Sequence, residues 1–183
     1  MNELSDPGSK MLQIPARLLP ALGRTASSEL SAIDAVQALR DAGLEAGSAL
    51  FTEFEGHLNG DNGLEEIGPD EFWNRLGEFF EQAGWGRMEY QQLNGGVGLL
   101  SSMDWAEATP DGAAQPTCHI TTGILSELLS RTADSDVAIL EVECRSRGDE
   151  RCGFAVGSSD TLGSIYERLR EGTTFSDAVG ALG

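Results

Sequence analysis

Cys118, Cys144 and Cys152 are the residues whose type and spacing most directly suggest chemistry. The stretch from Cys144 to Cys152, CRSRGDERC, is centred on Gly148. If two strands fold back there, Cys144 and Cys152 oppose each other on one face, with Cβ atoms about 4.5–5.5 Å apart. Two thiolates that close can share a zinc ion, with Zn–S bonds of about 2.3 Å. They could instead form a disulfide, which a reducing compartment opposes. Cys118 offers a third sulfur from the start of a helix, where the helix dipole favours a thiolate. A fourth ligand is then wanted, from Glu141, Glu143 or His119, and spacing does not choose among them. Glu141 and Cys144 have opposite strand parity, so only a β-bulge would turn both to one side. The competing reading is that three cysteines are simply small buried core residues.

Other chemistries find little support. The glycines Gly95, Gly96 and Gly98 fall in a hairpin, where glycine serves the turn, and not in a phosphate-binding loop after a strand. The two histidines, His57 and His119, sit in no recognised catalytic arrangement, so no catalytic residue is expected. Thirty acidic against twelve basic side chains give a net charge of −18, which repels phosphate backbones and anionic lipid. Neither nucleic acid nor a membrane is an expected partner. No apolar run approaches the roughly 18 residues of a membrane span, and the start MNELSDPGSK is unlike a secretory signal. An odd number of cysteines argues against a disulfide framework, so the expected location is cytoplasmic.

The elements that must position these residues follow from periodicity. Residues 1–28 read as a tail or arm: polar over 1–10, then an irregular apolar segment broken by Pro15 and Pro20, laid on the core or crossing to a partner. From Ser28 to about Phe54 apolar residues recur at helical steps, with Ser28 or Ser31 as cap and Gly43 and Gly47 marking close packing or a kink. A Gly- and Asn-rich loop follows. A second helix opens at Pro69 and Asp70 and ends by Gly84. Strands are expected over 87–93 and 97–103, joined by Asn94-Gly95-Gly96. A third helix starts near Cys118, strands follow at 137–144 and 152–156, and helices at 161–170 and 175–182 close the chain. This order implies an α+β fold, a mainly antiparallel sheet packed with helices, with residues 29–183 forming a single ligand-binding domain.

The stretch from Cys118 to Val156, with the pattern C-x22-E-x2-C-x7-C, is similar to the 4-vinyl reductase domain. It resembles the C-terminal part of the effector-binding domains of phenol- and xylene-responsive transcription activators. The motif covers residues 116–157, and 69–115 resemble the family more loosely. The resemblance implies a TRAPP-like fold, often homodimeric. It also implies a structural Zn²⁺ held by Cys118, Glu141, Cys144 and Cys152, and an apolar pocket close to the metal. Candidates to line that pocket are Phe72, Trp73, Phe79, Trp85, Trp105 and Leu125, each of which could equally be plain core. The expected function is a small-molecule-binding protein for a hydrocarbon, aromatic or tetrapyrrole-like ligand. It would be a stand-alone sensor or carrier module, passing any signal to a separate partner, since no ATPase region or basic DNA-binding helix accompanies it. Two alternatives remain: a tetrapyrrole-biosynthesis accessory protein or vinyl reductase, and a dimeric scaffold without ligand.

Overall fold

The computed structural model describes residues 14–58, 63–64, 66–110 and 112–182. The polar residues 1–10, with Met11 and Leu12, lie outside them. The helices are α1 (Leu18–Glu29), α2 (Ala32–Leu58), α3 (Pro69–Gln82), α4 (His119–Ala133), α5 (Ser159–Arg170) and α6 (Phe175–Gly180). The strands are β1 (Glu89–Gln92), β2 (Gly98–Ser102), β3 (Ala138–Glu143) and β4 (Cys152–Gly157). They form one antiparallel sheet in the order β1-β2-β4-β3. The α+β architecture read from the element order is the one observed.

The segment expected to be irregular contains a helix instead. Pro20 is the third residue of α1. A first-turn residue has no intrahelical partner for its N–H, so a proline there sacrifices nothing. The helix lays Leu19 into the core and keeps Leu18 and Leu22 exposed.

Ser31 caps α2: the Asp34 N–H donates to its Oγ at 3.2 Å, and its hydroxyl donates to Asp34 Oδ2 at 2.7 Å. The buried seam of α2 runs Ala35, Leu39, Gly43, Gly47, Leu50, Phe54 and Leu58, a helical stripe. The two glycines mark close packing. A Cβ at Gly43 would collide with the carbonyl of Ile120, and one at Gly123 with the carbonyl of Arg40, so α2 and α4 touch backbone to backbone. The Asn94-Gly95-Gly96 turn is present, with φ of 61° and 74° at the two glycines, and the strands it joins are shorter than expected.

Alternating residues of the strands feed two cores. Leu100, Phe154 and Ile139 face α2, α3 and α4; Leu99, Ala155 and Val142 face α5 and α6. The molecule is therefore layered as helices, sheet, helices.

Candidate metal centre

Four side chains from three places meet beside the sheet. Cys118 is the N-cap of α4, Glu141 lies on β3, Cys144 ends that strand, and Cys152 begins β4. Their ligand atoms all lie within 4.8 Å of one another. Cys118 Sγ and Cys152 Sγ are 4.0 Å apart. Two sulfurs on a tetrahedral zinc, each at about 2.3 Å, would be about 3.8 Å apart. All three cysteines are free thiols with no exposed surface.

The parity problem is solved by a bulge. The β3–β4 register shifts between Glu141 and Glu143, so Val142 is an extra residue. Val142 turns to the α5–α6 side, while Glu141 and Cys144 stay with the other cysteines. Past Cys144 the chain makes a short 3₁₀ turn, Arg145–Arg147, and reverses at Gly148 with φ 97°. Asp149 holds this turn in shape. Its Oδ2 accepts from the Cys144 N–H at 2.7 Å and from Arg147 at 2.6 Å.

The other proposed fourth ligands are elsewhere. Glu143 pairs with Arg151 at 2.7 Å, on the strand edge. His119 follows Cys118 but turns away from the sulfurs and lines a neighbouring cleft.

The electrostatics suit a cation. One Glu141 oxygen, Oε2, accepts the Cys118 N–H at 2.9 Å; the other, Oε1, is buried with no hydrogen-bond partner. Such an orphan costs about 1–3 kcal/mol unless something positive meets it. Burial, then the charge of Cys144, pushes the Glu141 carboxyl up to about 9. Cys144 is held well below the usual thiol range by hydrogen bonds from Cys118 and Cys152. Cys118 is raised by those same contacts, first with Cys144. Contact with Cys118 lowers Cys152, but Cys144 and burial outweigh it and carry the thiol to about 12. Protein groups alone let this cluster hold about one negative charge comfortably. A soft divalent ion accepting three thiolates and a carboxylate oxygen fits the donor set.

Sequence reading missed Glu107. This carboxylate is only 3% exposed and caps α4 from a loop. Its Oε1 accepts the Ile120 N–H at 3.0 Å, and its Oε2 accepts from the Thr121 N–H at 2.8 Å and the Thr121 hydroxyl at 2.5 Å. The Trp105 indole N–H donates to the same hydroxyl at 2.7 Å. Burial raises the Glu107 carboxyl to about 7 against those hydrogen bonds. A lone acid 13 residues before Ile120 carries no spacing signal; its only hint is its place beside Trp105 in the run WAEA.

The six apolar candidates pack mostly on one another and their neighbours. Phe72 and Phe79 lie edge-on to Phe54, with centroids 5.7 and 5.4 Å away. Trp73 stacks on Tyr90 at 3.9 Å. Trp85 and Trp105 flank Phe80, and Leu125 is fully buried in α4. None of the six lines the main cleft. That cleft, about 630 Å³, opens between α1, the start of α2 and the loop from Glu107 to Thr117.

Residues 106–158 match the family model of the 4-vinyl reductase domain. The chain carries a 4-vinyl reductase domain. The match takes in all four clustered residues and begins just ahead of Glu107. No curated protein sequence matches the chain. Among solved structures, the phenol-responsive sensory domain of the transcription activator PoxR, with phenol, is similar at 17% identity and TM-score 0.62. That match covers 80% of this chain and 76% of the PoxR domain. A trafficking protein particle complex subunit 3 from Naegleria fowleri, covalently bound to palmitic acid, matches at 12% identity and TM-score 0.56. It covers 78% of this chain and 91% of that one. A vinyl-4-reductase family protein from Methanocaldococcus jannaschii covers 81% of this chain and 96% of its own at 19% identity, but its TM-score of 0.38 makes it no guide to the fold. The first two establish that the 4-vinyl reductase domain here sits in a TRAPP-like α+β fold.

Proposed function

We propose that this chain is a ligand-sensing or carrier module for an apolar small molecule, with its 4-vinyl reductase domain locked by one structural zinc ion. Cys118, Glu141, Cys144 and Cys152 would be the ligands. The observation that carries the metal reading is the orphaned Glu141 Oε1, buried among three sulfurs from two strands and a helix start. Four protein donors fill a tetrahedral zinc, leaving no open position for substrate. The ion would tie α4 to the β3–β4 turn and supply folding energy.

The ligand reading draws on two structures of the same fold, one with phenol and one with palmitic acid. Free thiols at the cluster suit a reducing, cytoplasmic setting. No helix among the described residues is long and apolar enough to cross a membrane. Homodimerisation is proposed through the exposed apolar residues of α1 and the start of α2, Leu18, Leu22, Ile33 and Val36.

Elemental analysis of protein purified without chelator tests the metal, with one zinc per chain expected. Native mass spectrometry tests the ligand, with a co-purified apolar compound expected. Protein that is folded, metal-free and unable to bind any apolar probe would overturn the proposal. Light scattering at several concentrations checks the dimer.

A further inference from the structure

The aromatic cluster beside the metal is filled by its own side chains, whereas the cleft beneath α1 is open and chemically mixed. Its volume, about 630 Å³, is in the usual range for small-molecule sites. Leu19 and Leu39 give it an apolar wall, and Glu107 gives that wall a buried carboxylate. Every hydrogen bond to Glu107 comes from the first turn of α4, one to Oε1 and two to Oε2. A carboxylate oxygen accepts two hydrogen bonds, so Oε1 retains capacity for a donor. His119, also in the lining, is lowered by burial and so is neutral at pH 7. Among the described lining residues, Arg24 carries the positive charge, and it is solvent-exposed on α1.

We propose that this cleft is the ligand site, and that it takes an amphipathic molecule whose apolar body lies against Leu19 and Leu39 and whose hydroxyl or ammonium head donates to Glu107. This rests on the small-molecule reading above and gives that reading a place and a head-group chemistry. An anionic head is disfavoured twice. It would face a buried acid, and it would approach a chain of net charge −18. An ammonium gains most, because it restores the charge that burial discourages on Glu107.

Binding at this place would also reach the metal centre. Thr117, in the lining, donates to Ser146 Oγ at 2.7 Å and has its hydroxyl 3.8 Å from Cys144 Sγ. Ser146 Oγ also accepts the Thr109 N–H at 3.0 Å. One wall of the cleft is thus the outer support of a sulfur ligand.

The test is displacement of Nile red from the full chain by octylamine, octan-1-ol and octanoate. The amine and the alcohol should compete at least tenfold better than the carboxylate, and whichever of the two is tighter identifies the preferred head. Gly23→Phe should weaken both by at least tenfold. Gly23 lines the cleft, and a Cβ there meets no atom within 4 Å, so the variant fills space without disturbing the fold. Glu107→Gln should narrow the gap between amine and carboxylate, whether or not overall affinity falls. If wild type binds the probes but Gly23→Phe binds them equally well, the site is elsewhere and the small-molecule reading survives alone. Octanoate competing as well as octylamine would overturn the head-group assignment. A wild type that binds neither Nile red nor any of the three would overturn both readings.

Discussion

On one side of the sheet, Phe54, Phe80, Trp105 and Phe154 pack with the three cysteines beneath α2, α3 and α4. On the other, the buried members are all aliphatic: Val97, Leu99, Val142, Ala155, Leu162, Ile165, Ala178 and Val179, covered by α5 and α6. Every buried ionisable group with a raised or lowered pKa described above lies on the first side, Glu107 and Glu141 included. The second side buries apolar area and nothing that needs a partner. A single sheet thus separates a chemically specified face from a generic one, and the two should respond differently to comparable damage.

The most severe test is Cys144→Ser. It removes the sulfur most ready to ionise, and it should abolish zinc binding and lower stability by at least about 3 kcal/mol, a Tm drop on the order of 10 °C. A chelator should do the same to wild type and nothing further to the variant. Differential scanning calorimetry with metal analysis checks both. A chelator-insensitive Tm in zinc-loaded protein would show that the specified face does not need the ion.

Matched truncations come next. Leu128→Ala, under the α2–α4 crossing, should cost about 4 kcal/mol, because glycine-mediated backbone contact leaves the neighbours no room to collapse into the void. Leu162→Ala, on the aliphatic side, should cost about 2 kcal/mol, since it packs against Gly157 and a smaller core. Urea unfolding measures both, and equal costs would erase the distinction in packing.

Glu107 sharpens the comparison through pH. Its carboxyl is raised to about 7 in the folded chain, against an ordinary 4.5, so the folded state holds its proton longer than the unfolded state does. The resulting stability is complete below about pH 4.5 and is lost as pH rises through about 7, by roughly 2–3 kcal/mol in all. Deprotonation of the metal ligands works in the opposite sense but is common to wild type and to Glu107→Gln. The Tm difference, wild type minus variant, should therefore fall between pH 5 and pH 8. A flat difference would mean that Glu107 ionises as freely as on the surface.

Much of this arrangement is legible in the chain. Cys144 and Cys152 flank Gly148 symmetrically, and the mismatch in parity between Glu141 and Cys144 calls for a bulge, which Val142 supplies. The choice of Glu141 over Glu143 was not legible from spacing. It depends on which acid finds Arg151 across the strand edge and which finds the Cys118 N–H. Helix α1 was hidden because its two prolines read as breakers, although one of them sits in a first turn where it breaks nothing. The cleft was hidden for a different reason. It is made by α1, α2 and a loop closing on one another, and no periodicity within one segment records a space between three.

The smallest expected effects come from two glycines of similar sequence context and opposite surroundings. Gly43 on α2 and Gly163 on α5 are both inside helices, so replacing either with alanine should gain about 0.5–1 kcal/mol from backbone entropy. At Gly163 nothing lies within 4 Å of the new Cβ, so that gain should appear in full as a raised Tm. At Gly43 the new Cβ collides with the Ile120 carbonyl, two residues from the Cys118 N-cap, and no flexible side chain is there to yield. Overpacking of this kind costs about 1–3 kcal/mol, so Gly43→Ala should be destabilising on balance. It should also loosen the start of α4, lowering zinc affinity in a competition with a chromogenic chelator, whereas Gly163→Ala leaves that affinity unchanged. If both alanines stabilise and neither alters the metal, α2 and α4 can part without cost, and the face that carries the chemistry is no more tightly specified than the other.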